Sequence, residues 1–323
     1  MLSYRILNIF KLYAKIGDKH FMIKIPQKIL DDIKTLDFYF DTVRIINPVE
    51  KKIYNIENKN DIHSSNKLPC HAIWNSYSPC KNCISMRAIN EDTSLIKFEE
   101  NSGKIFIITA IPLKLDNSSL VIELVKDITG QKLLDSISPA NIGSLENYSL
   151  KKTIEKLNDI VIRDELTQVY NRKYIIERLP IDILDSIKNK FTLAIVLTDI
   201  DYFKKINDNY GHLVGDEVIK KFANILVNNT RKNQDWVARY GGEEFLICIK
   251  YAKKESIPSL IEHIRQSIEN EKFDTSAGII SITSSFGGYI LKNETINVLD
   301  ALRIADENLY KAKNSGRNKI YCS

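Results

Sequence analysis

The stretch RYGGEEF, Arg239 to Phe245, sets Glu243 and Glu244 directly behind Gly241 and Gly242 and ahead of an apolar run that reads as a strand, where a sheet needs no charge. A second acidic pair closes LAIVLTDID, an apolar strand that delivers Asp199 and Asp201 at its carboxyl end, the end at which ligands gather in α/β sheets. Strand alternation puts both aspartates on one face with the Ile200 carbonyl between them. Two carboxylates and a carbonyl are hard oxygen donors of the kind that take Mg²⁺ together with substrate phosphates. Taken alone, DID at a strand end is more often a helix cap or turn former. If that strand runs beside the Gly-Gly hairpin, Glu243 and Asp199 converge, and carboxylates so close repel each other unless a cation lies between them.

The glycine pair suits a type I′ turn, and its lack of side chains lets a flat ligand approach the backbone. In YFKKINDNYGHLVGDEV, main-chain N–H groups around Tyr202 and Phe203 can hold phosphate oxygens, with Lys204 adding charge. Asn207 both donates and accepts, Asp216 only accepts, and a guanine edge suits that pair. Each also reads as a helix cap. Lys313 and Arg317 lie four apart across the end of the last helix, where the dipole favours basic residues in any case; there they can also clamp a polyphosphate, Arg317 in a bidentate manner. Near the front, Cys80 and Cys83 form C-x-x-C, and Cys70 or His71 would complete a set of soft ligands for zinc or an iron-sulfur centre. Redox-active thiols or thiols buried without a role are the alternatives. Cys248, in an apolar strand, reads as core, and the penultimate Cys322 as incidental.

These residues must be positioned by three blocks. In residues 1–131 a hairpin, VRIINPVEKKIYNI, precedes a meander of TSLIKFEE, KIFIITAIPLKL and SLVIELVKDI, divided by the turn signals NSG and DNSS. The cysteine-bearing segment between them reads as short helices and loops. Residues 132–162 are a polar helical connector in which Leu150, Ile154, Leu157 and Val161 form either a short coiled-coil seam or the face of one helix lying on its own domain. From residue 163 to 323 helix and strand alternate, with helices in RKYIIERL, GDEVIKKFANILVNNT, SIPSLIEHIRQSIEN and VLDALRIADENLYKAKN, and strands in FTLAIVLTDI, DWVARY, EFLICIKY and IISITSSFGGYIL. The fold class is α/β (α+β), with a mixed central sheet in the C-terminal block.

A chain of 323 residues with 44% hydrophobic composition is long enough for about two domains. A formal charge of +5 over this length does not point to nucleic acid. The early stretch MLSYRILNIFKLYAKI is interrupted by Arg5, Lys11 and Lys15, and no stretch approaches a membrane span, so a cytoplasmic protein with no membrane partner is expected. An odd count of five cysteines fits a reducing compartment better than a disulfide framework.

The segments RDELTQVYNRKY, DIDYFKKINDNYGHLVGD, RYGGEEF and ADENLYKAKNSGRNKI stand in the order and spacing of the GGDEF domain of diguanylate cyclases, and from Val161 onward the chain resembles that family. The resemblance implies a palm like that of adenylyl cyclases, and condensation of two GTP into cyclic di-GMP with release of two pyrophosphates. It implies that Asp199, the Ile200 carbonyl and Glu243 hold Mg²⁺ or Mn²⁺, that Glu243 also accepts the proton of the attacking 3′-hydroxyl, and that Glu244 supports a second metal or the hairpin. Asn207 and Asp216 would read guanine, His212 would lie against the nucleotide, and Phe203, Lys204, Lys313 and Arg317 would contact phosphates. Since one such domain binds one GTP, a homodimer would be required for turnover, with cyclic di-GMP receptors downstream.

One departure stands out. Many members carry an inhibitory Arg-x-x-Asp site; here Asp235 is in place but the Arg position holds Lys232, with Arg231 displaced by one. Lysine lacks the planar fork, so weak product inhibition is expected. The front half, ending in VKDITGQ, is similar to PAS sensor domains; heme, flavin, a metal, a small metabolite or no ligand are all compatible with it. A catalytically inactive GTP or cyclic di-GMP receptor is the alternative reading. Single-nucleotide cyclisation on the same palm is disfavoured by the Gly-Gly hairpin with Asn207 and Asp216.

Overall fold

The computed structural model describes residues 23–24, 26–57, 61–76, 78–113, 119–129, 152, 154, 158–291 and 296–323, which fall into two compact units, Lys15–Val161 and Ile162–Ser323. The early MLSYRILNIFKLYAKI stretch, most of the DNSS turn, Leu150 and Leu157 lie outside the described residues.

The first unit runs β1 (Ile23–Lys24), α1 (Gln27–Leu36), β2 (Thr42–Asn47), β3 (Lys52–Glu57), β4 (Asp61–Pro69), a 3-10 turn (Cys70–Trp74), α2 (Ile84–Glu91), β5 (Leu95–Asn101), β6 (Lys104–Leu113) and β7 (Leu120–Asp127). Its seven strands form one sheet in the order β1-β4-β3-β2-β7-β6-β5, with antiparallel neighbours throughout. The β2–β3 hairpin turns where Asn47 Oδ1 accepts the Val49 and Glu50 N–H groups at 3.1 and 3.0 Å. β4 corrects the expectation of only helices and loops before the meander: the polar run DIHSSNKLP carries no apolar alternation, yet it pairs with β3 along its length. The helical residues 158–162 continue the connector, and Ile154 is buried against Ile105 and Ile128 of this same unit. At that position the helix lies on its own domain.

The second unit contains α3 (Arg172–Asn189), β8 (Leu193–Ile200), α4 (Phe203–Tyr210), α5 (His212–Asn228), β9 (Trp236–Gly241), β10 (Glu244–Lys250), α6 (Ile257–Asn270), β11 (Phe273–Thr275), β12 (Gly278–Ile280), β13 (Ser284–Leu291), α7 (Val298–Asn314) and β14 (Ile320–Cys322). The five-stranded sheet is ordered β14-β13-β8-β10-β9, antiparallel except for the parallel β13–β14 pair, and so mixed as expected. All eight residues of β8 are buried, as a central strand covered on both faces requires. The apolar faces of α5 and α6 close one side through Val218, Phe222, Ile261 and Ile264, with Phe222 and Phe245 rings 5.2 Å apart.

Two boundaries differ from the sequence pattern. α3 runs through Pro180 instead of stopping at it, because burial of Leu179, Ile181 and Ile183 outweighs the lost hydrogen bond. The run IISITSSFGGYIL divides into β12, which pairs with β11 outside the main sheet, and β13.

Candidate active site

The site is assembled at the carboxyl end of β8. Asp199 lies opposite Glu244 of β10 on one side and Ser285 of β13 on the other, so strand register brings the acids together. Ser284 Oγ donates to the Asp199 carbonyl at 2.8 Å. Asp199 is only 8% exposed, and Lys313 Nζ, from α7, lies 2.8 Å from its Oδ2. Burial pushes the Asp199 carboxyl up to about 6; Glu243 and Glu244 add to the rise, and Lys313 opposes it. Burial also raises Glu244, with Glu243 and Asp306 adding to the rise and Lys313 opposing it.

The Gly-Gly turn differs from the type I′ expectation. That turn needs positive φ at both central residues, whereas only Gly242 has it, at +54°, and Glu244 pairs with Gly241 while Phe245 pairs with Arg239. A bulge at Tyr240 shifts the turn by one residue and puts Glu243, half-buried, at its tip. Arg239 locks this tip. Its Nε donates to the Gly242 carbonyl at 2.8 Å and its Nη1 to Asp164 Oδ1 at 3.1 Å, while Asp164 Oδ1 also accepts the Thr167 N–H and hydroxyl. Neither Arg239 nor Asp164 stands out by sequence reasoning, although Asp164 three residues before Thr167 is a turn signature.

The turn after β8 is led by Tyr202, whose φ of +57° is left-handed, and no side chain caps α4. No side chain therefore caps the first N–H groups of that helix, at Phe203 and Lys204; the Phe203 side chain is buried and Lys204 is exposed. Asn207 and Asp216 are not helix caps, since the residues preceding α4 and α5 are Tyr202 and Gly211. Asn207 Oδ1 is buried with no hydrogen-bond partner. It occupies the space over Gly215, where an added Cβ would come within 1.9 Å of it, so a side chain at 215 would expel the amide. Asp216, the next residue, is half-buried, and His212 is exposed at the start of α5. Arg317 lies over the Tyr202 ring, 4.4 Å from its centroid.

Within the second unit, Asp235 and Lys232 lie at the opposite end of β9 from the Gly-Gly turn. Asp235 is fully buried at its side chain and is held by Arg231, with Nε–Oδ2 2.9 Å and Nη2–Oδ1 2.7 Å, and by the Lys250 N–H at 3.0 Å; Lys232 is exposed. In the first unit Cys70 opens the 3-10 turn, His71 follows it, and Cys83 precedes α2, with Cys80 in the loop before it. All five cysteines are free thiols. Burial pushes Cys70 up to about 12 and raises Cys80 and Cys83. Among the described residues no three His, Cys, Asp or Glu side chains form a group that could hold a metal, either at the cysteines or at the β8 acids. For Mg²⁺ the β8 donors fit by their chemistry: hard carboxylate oxygens, one of them buried at a cost that a neighbouring cation relieves. No described helix is long and apolar enough to cross a membrane.

A mixed sheet that presents carboxylates at a central strand end beside a Gly-Gly hairpin defines a nucleotide-cyclase-like palm. This part of the chain, residues 161–319, matches the family model "Diguanylate cyclase, GGDEF domain". Among curated proteins it is similar to the probable diguanylate cyclase DgcT of Escherichia coli K12, 37% identical over 50% of this chain and 36% of that one. It is also similar to diguanylate cyclase A of Treponema denticola, 33% identical over 57% of this chain and 49% of that one. The chain thus matches about a third to a half of the length of these relatives. The coiled coil and GGDEF domain of DgcB from Caulobacter crescentus, solved with c-di-GMP, superposes with a TM-score of 0.53 at 25% identity, over 61% of this chain and all of that one.

Proposed function

We propose that the protein is a diguanylate cyclase, condensing two GTP into cyclic di-GMP and two pyrophosphates. The observation that carries this reading is the buried Asp199 in register with Glu244, beside Glu243 on the Gly-Gly tip, with Lys313 as counter-ion. Mg²⁺, or Mn²⁺ in its place, when held by Asp199, the Ile200 carbonyl and Glu243, supplies charge compensation to the transferring phosphoryl group. Glu243, at the tip, accepts the proton of the 3′-hydroxyl. Glu244 supports a second metal or the hairpin geometry. The unpartnered Asn207 Oδ1 takes a guanine N–H, which relieves the cost of a buried lone acceptor, about 1–3 kcal/mol, and Asp216 takes another. His212 lies at the exposed lip beside the base. Gly241 and Gly242 leave room for the nucleotide, while the N–H groups of Phe203 and Lys204, with Lys204, Lys313 and Arg317, bind the phosphates.

Each GGDEF domain carries one such half-site in this reading, so turnover takes place in a homodimer and the product passes to cyclic di-GMP receptors. We assign the first unit as a PAS-like sensor acting in the cytoplasm. Its hairpin followed by a three-stranded meander, its Asp127-Ile128-Thr129 ending and the packing of Ile154 on Ile105 and Ile128 support a sheet whose state is passed to the connector helix.

The test is turnover of GTP with Mg²⁺ by the full-length protein, with products resolved by mass. Wild type is expected to give cyclic di-GMP and Glu243→Gln to lose about 100-fold or more. A folded protein that binds GTP at the dimer concentration yet makes no product under any sensor condition would favour the receptor role.

A further inference from the structure

Asp201 is 4% exposed, just beyond the end of β8, and has no part in the site as described. Its carboxylate accepts from Thr283 Oγ1 at 2.8 Å, Ser285 Oγ at 2.7 Å and the Asn318 N–H at 2.9 Å, and its own N–H donates to the Thr283 carbonyl. Asn318 is gripped again from α6: its Oδ1 accepts from Arg265 Nη1 at 2.6 Å and its Nδ2 donates to Glu269 Oε1 at 2.7 Å. Arg265 is in turn fixed by Glu262 and Glu269.

The backbone that leads into Asn318 is strained. Gly316, Arg317 and Asn318 have φ of +108°, +62° and +47°, three successive residues in the left-handed region, two of them with side chains. Such conformations persist only where the surroundings over-determine them, and they concentrate at ligand clamps. Here the outcome is an Arg317 guanidinium 4.4 Å over the Tyr202 ring, with Nη1 3.4 Å from the Tyr202 hydroxyl, at the uncapped turn that starts α4.

We propose that Asp201 and Asn318 are positioning residues that hold the Arg317 loop in its strained form and so preorganise the guanidinium for the nucleotide phosphates. Asp201 works from the strand side through the Asn318 main chain, and Arg265 with Glu269 works from the helix side through its side chain. This rests on Arg317 contacting phosphate in the proposed cyclase.

Full-length Arg317→Ala, Asp201→Asn, Asn318→Ala and the double variant Asp201→Asn/Arg317→Ala are compared for binding of a non-hydrolysable GTP analogue with Mg²⁺ and for KM and kcat. Arg317→Ala is expected to weaken binding about tenfold, the size of one charge-assisted contact. Asp201→Asn and Asn318→Ala are expected to raise Kd and KM several-fold while kcat moves less. The double variant should bind within about twofold of Arg317→Ala, because the anchors act only through the arginine. If the losses multiply instead, Asp201 acts on the site as a whole and the proposal is overturned. Near-wild-type binding by Asn318→Ala and Asp201→Asn beside a weak Arg317→Ala overturns the clamp while leaving the GTP reading intact. Normal binding by Arg317→Ala removes the phosphate role of that arginine and the proposal with it. Should Asp201→Asn fail to fold, Asn318→Ala and its double variant with Arg317→Ala decide the matter, since the Asp201 hydrogen bonds remain available there.

Discussion

Asp199 is buried among Glu243, Glu244 and Lys313, and its carboxyl keeps a proton up to about pH 6. In an unfolded chain aspartate titrates at about 3.9. Between those values the folded protein binds more protons than the unfolded one, so stability falls as pH rises through the window and the deficit is complete above it. The shift corresponds to about 3 kcal/mol at most, less whatever Lys313 loses with its partner. Asp199→Asn, free of metal, is expected to be more stable than wild type to urea by about 1–3 kcal/mol at pH 7.5 and equal to it at pH 4. A variant less stable than wild type at pH 7.5 would show that the Lys313 ion pair outweighs the burial. The same logic of a tolerated local cost applies to Asn207, whose buried oxygen is left unpartnered over Gly215. The sequence marked Asn207 by its chemistry, but the need for glycine at 215 appears only once α4 and α5 are packed.

At the scale of elements, the segment between α5 and β9 is where product inhibition of the proposed cyclase would be set. Asp235 there is enclosed by Arg231 and the Lys250 N–H, leaving its carboxylate no free edge, while Lys232 points to solvent. Inhibition by cyclic di-GMP is accordingly expected to be weak and competitive with GTP, read from initial rates at varied GTP and product. A strong noncompetitive component that disappears in Asp235→Ala would contradict this. The elements themselves were legible where apolar periodicity was strong, as in β8, β10 and α7. They were misread where tertiary pairing overrides local pattern. β4 is a polar strand recruited by β3, α3 is carried through Pro180 by burial on both sides of it, and the bulge at Tyr240 moves the Gly-Gly turn by one residue. Glu243 is the acid the sequence points to as Asp199's neighbour, yet it is Glu244 that sits in direct register with Asp199, a distinction set by hydrogen-bond pairing that composition does not encode.

For the whole molecule, a reaction that needs two half-sites makes assembly part of the kinetics. Specific activity of the full chain should rise with protein concentration until dimerisation saturates, and the concentration at half-maximum should match the dimer constant from sedimentation. Activity per milligram that stays constant in a solution shown to be monomeric would contradict the two-site reading. The C-terminal half was legible because four motifs stand in fixed spacing, each tied to a different element of the second unit. The front half has no comparable constellation. Its thiols are spaced like ligands in sequence, and burial raises Cys70, Cys80 and Cys83, with Cys80 adding to the rise at Cys70 and at Cys83.

The contact between Lys313 and Asp199 bears on how the cleft would be loaded. In the proposed cyclase a divalent ion arriving at Asp199 would enter a position already neutralised, so its uptake would be an ion exchange in which an ammonium is released. The released charge stays on α7, one turn from Arg317, on the side where a triphosphate would enter. Metal and nucleotide are then coupled through a single flexible side chain, and by reciprocity each should tighten the binding of the other by the same factor.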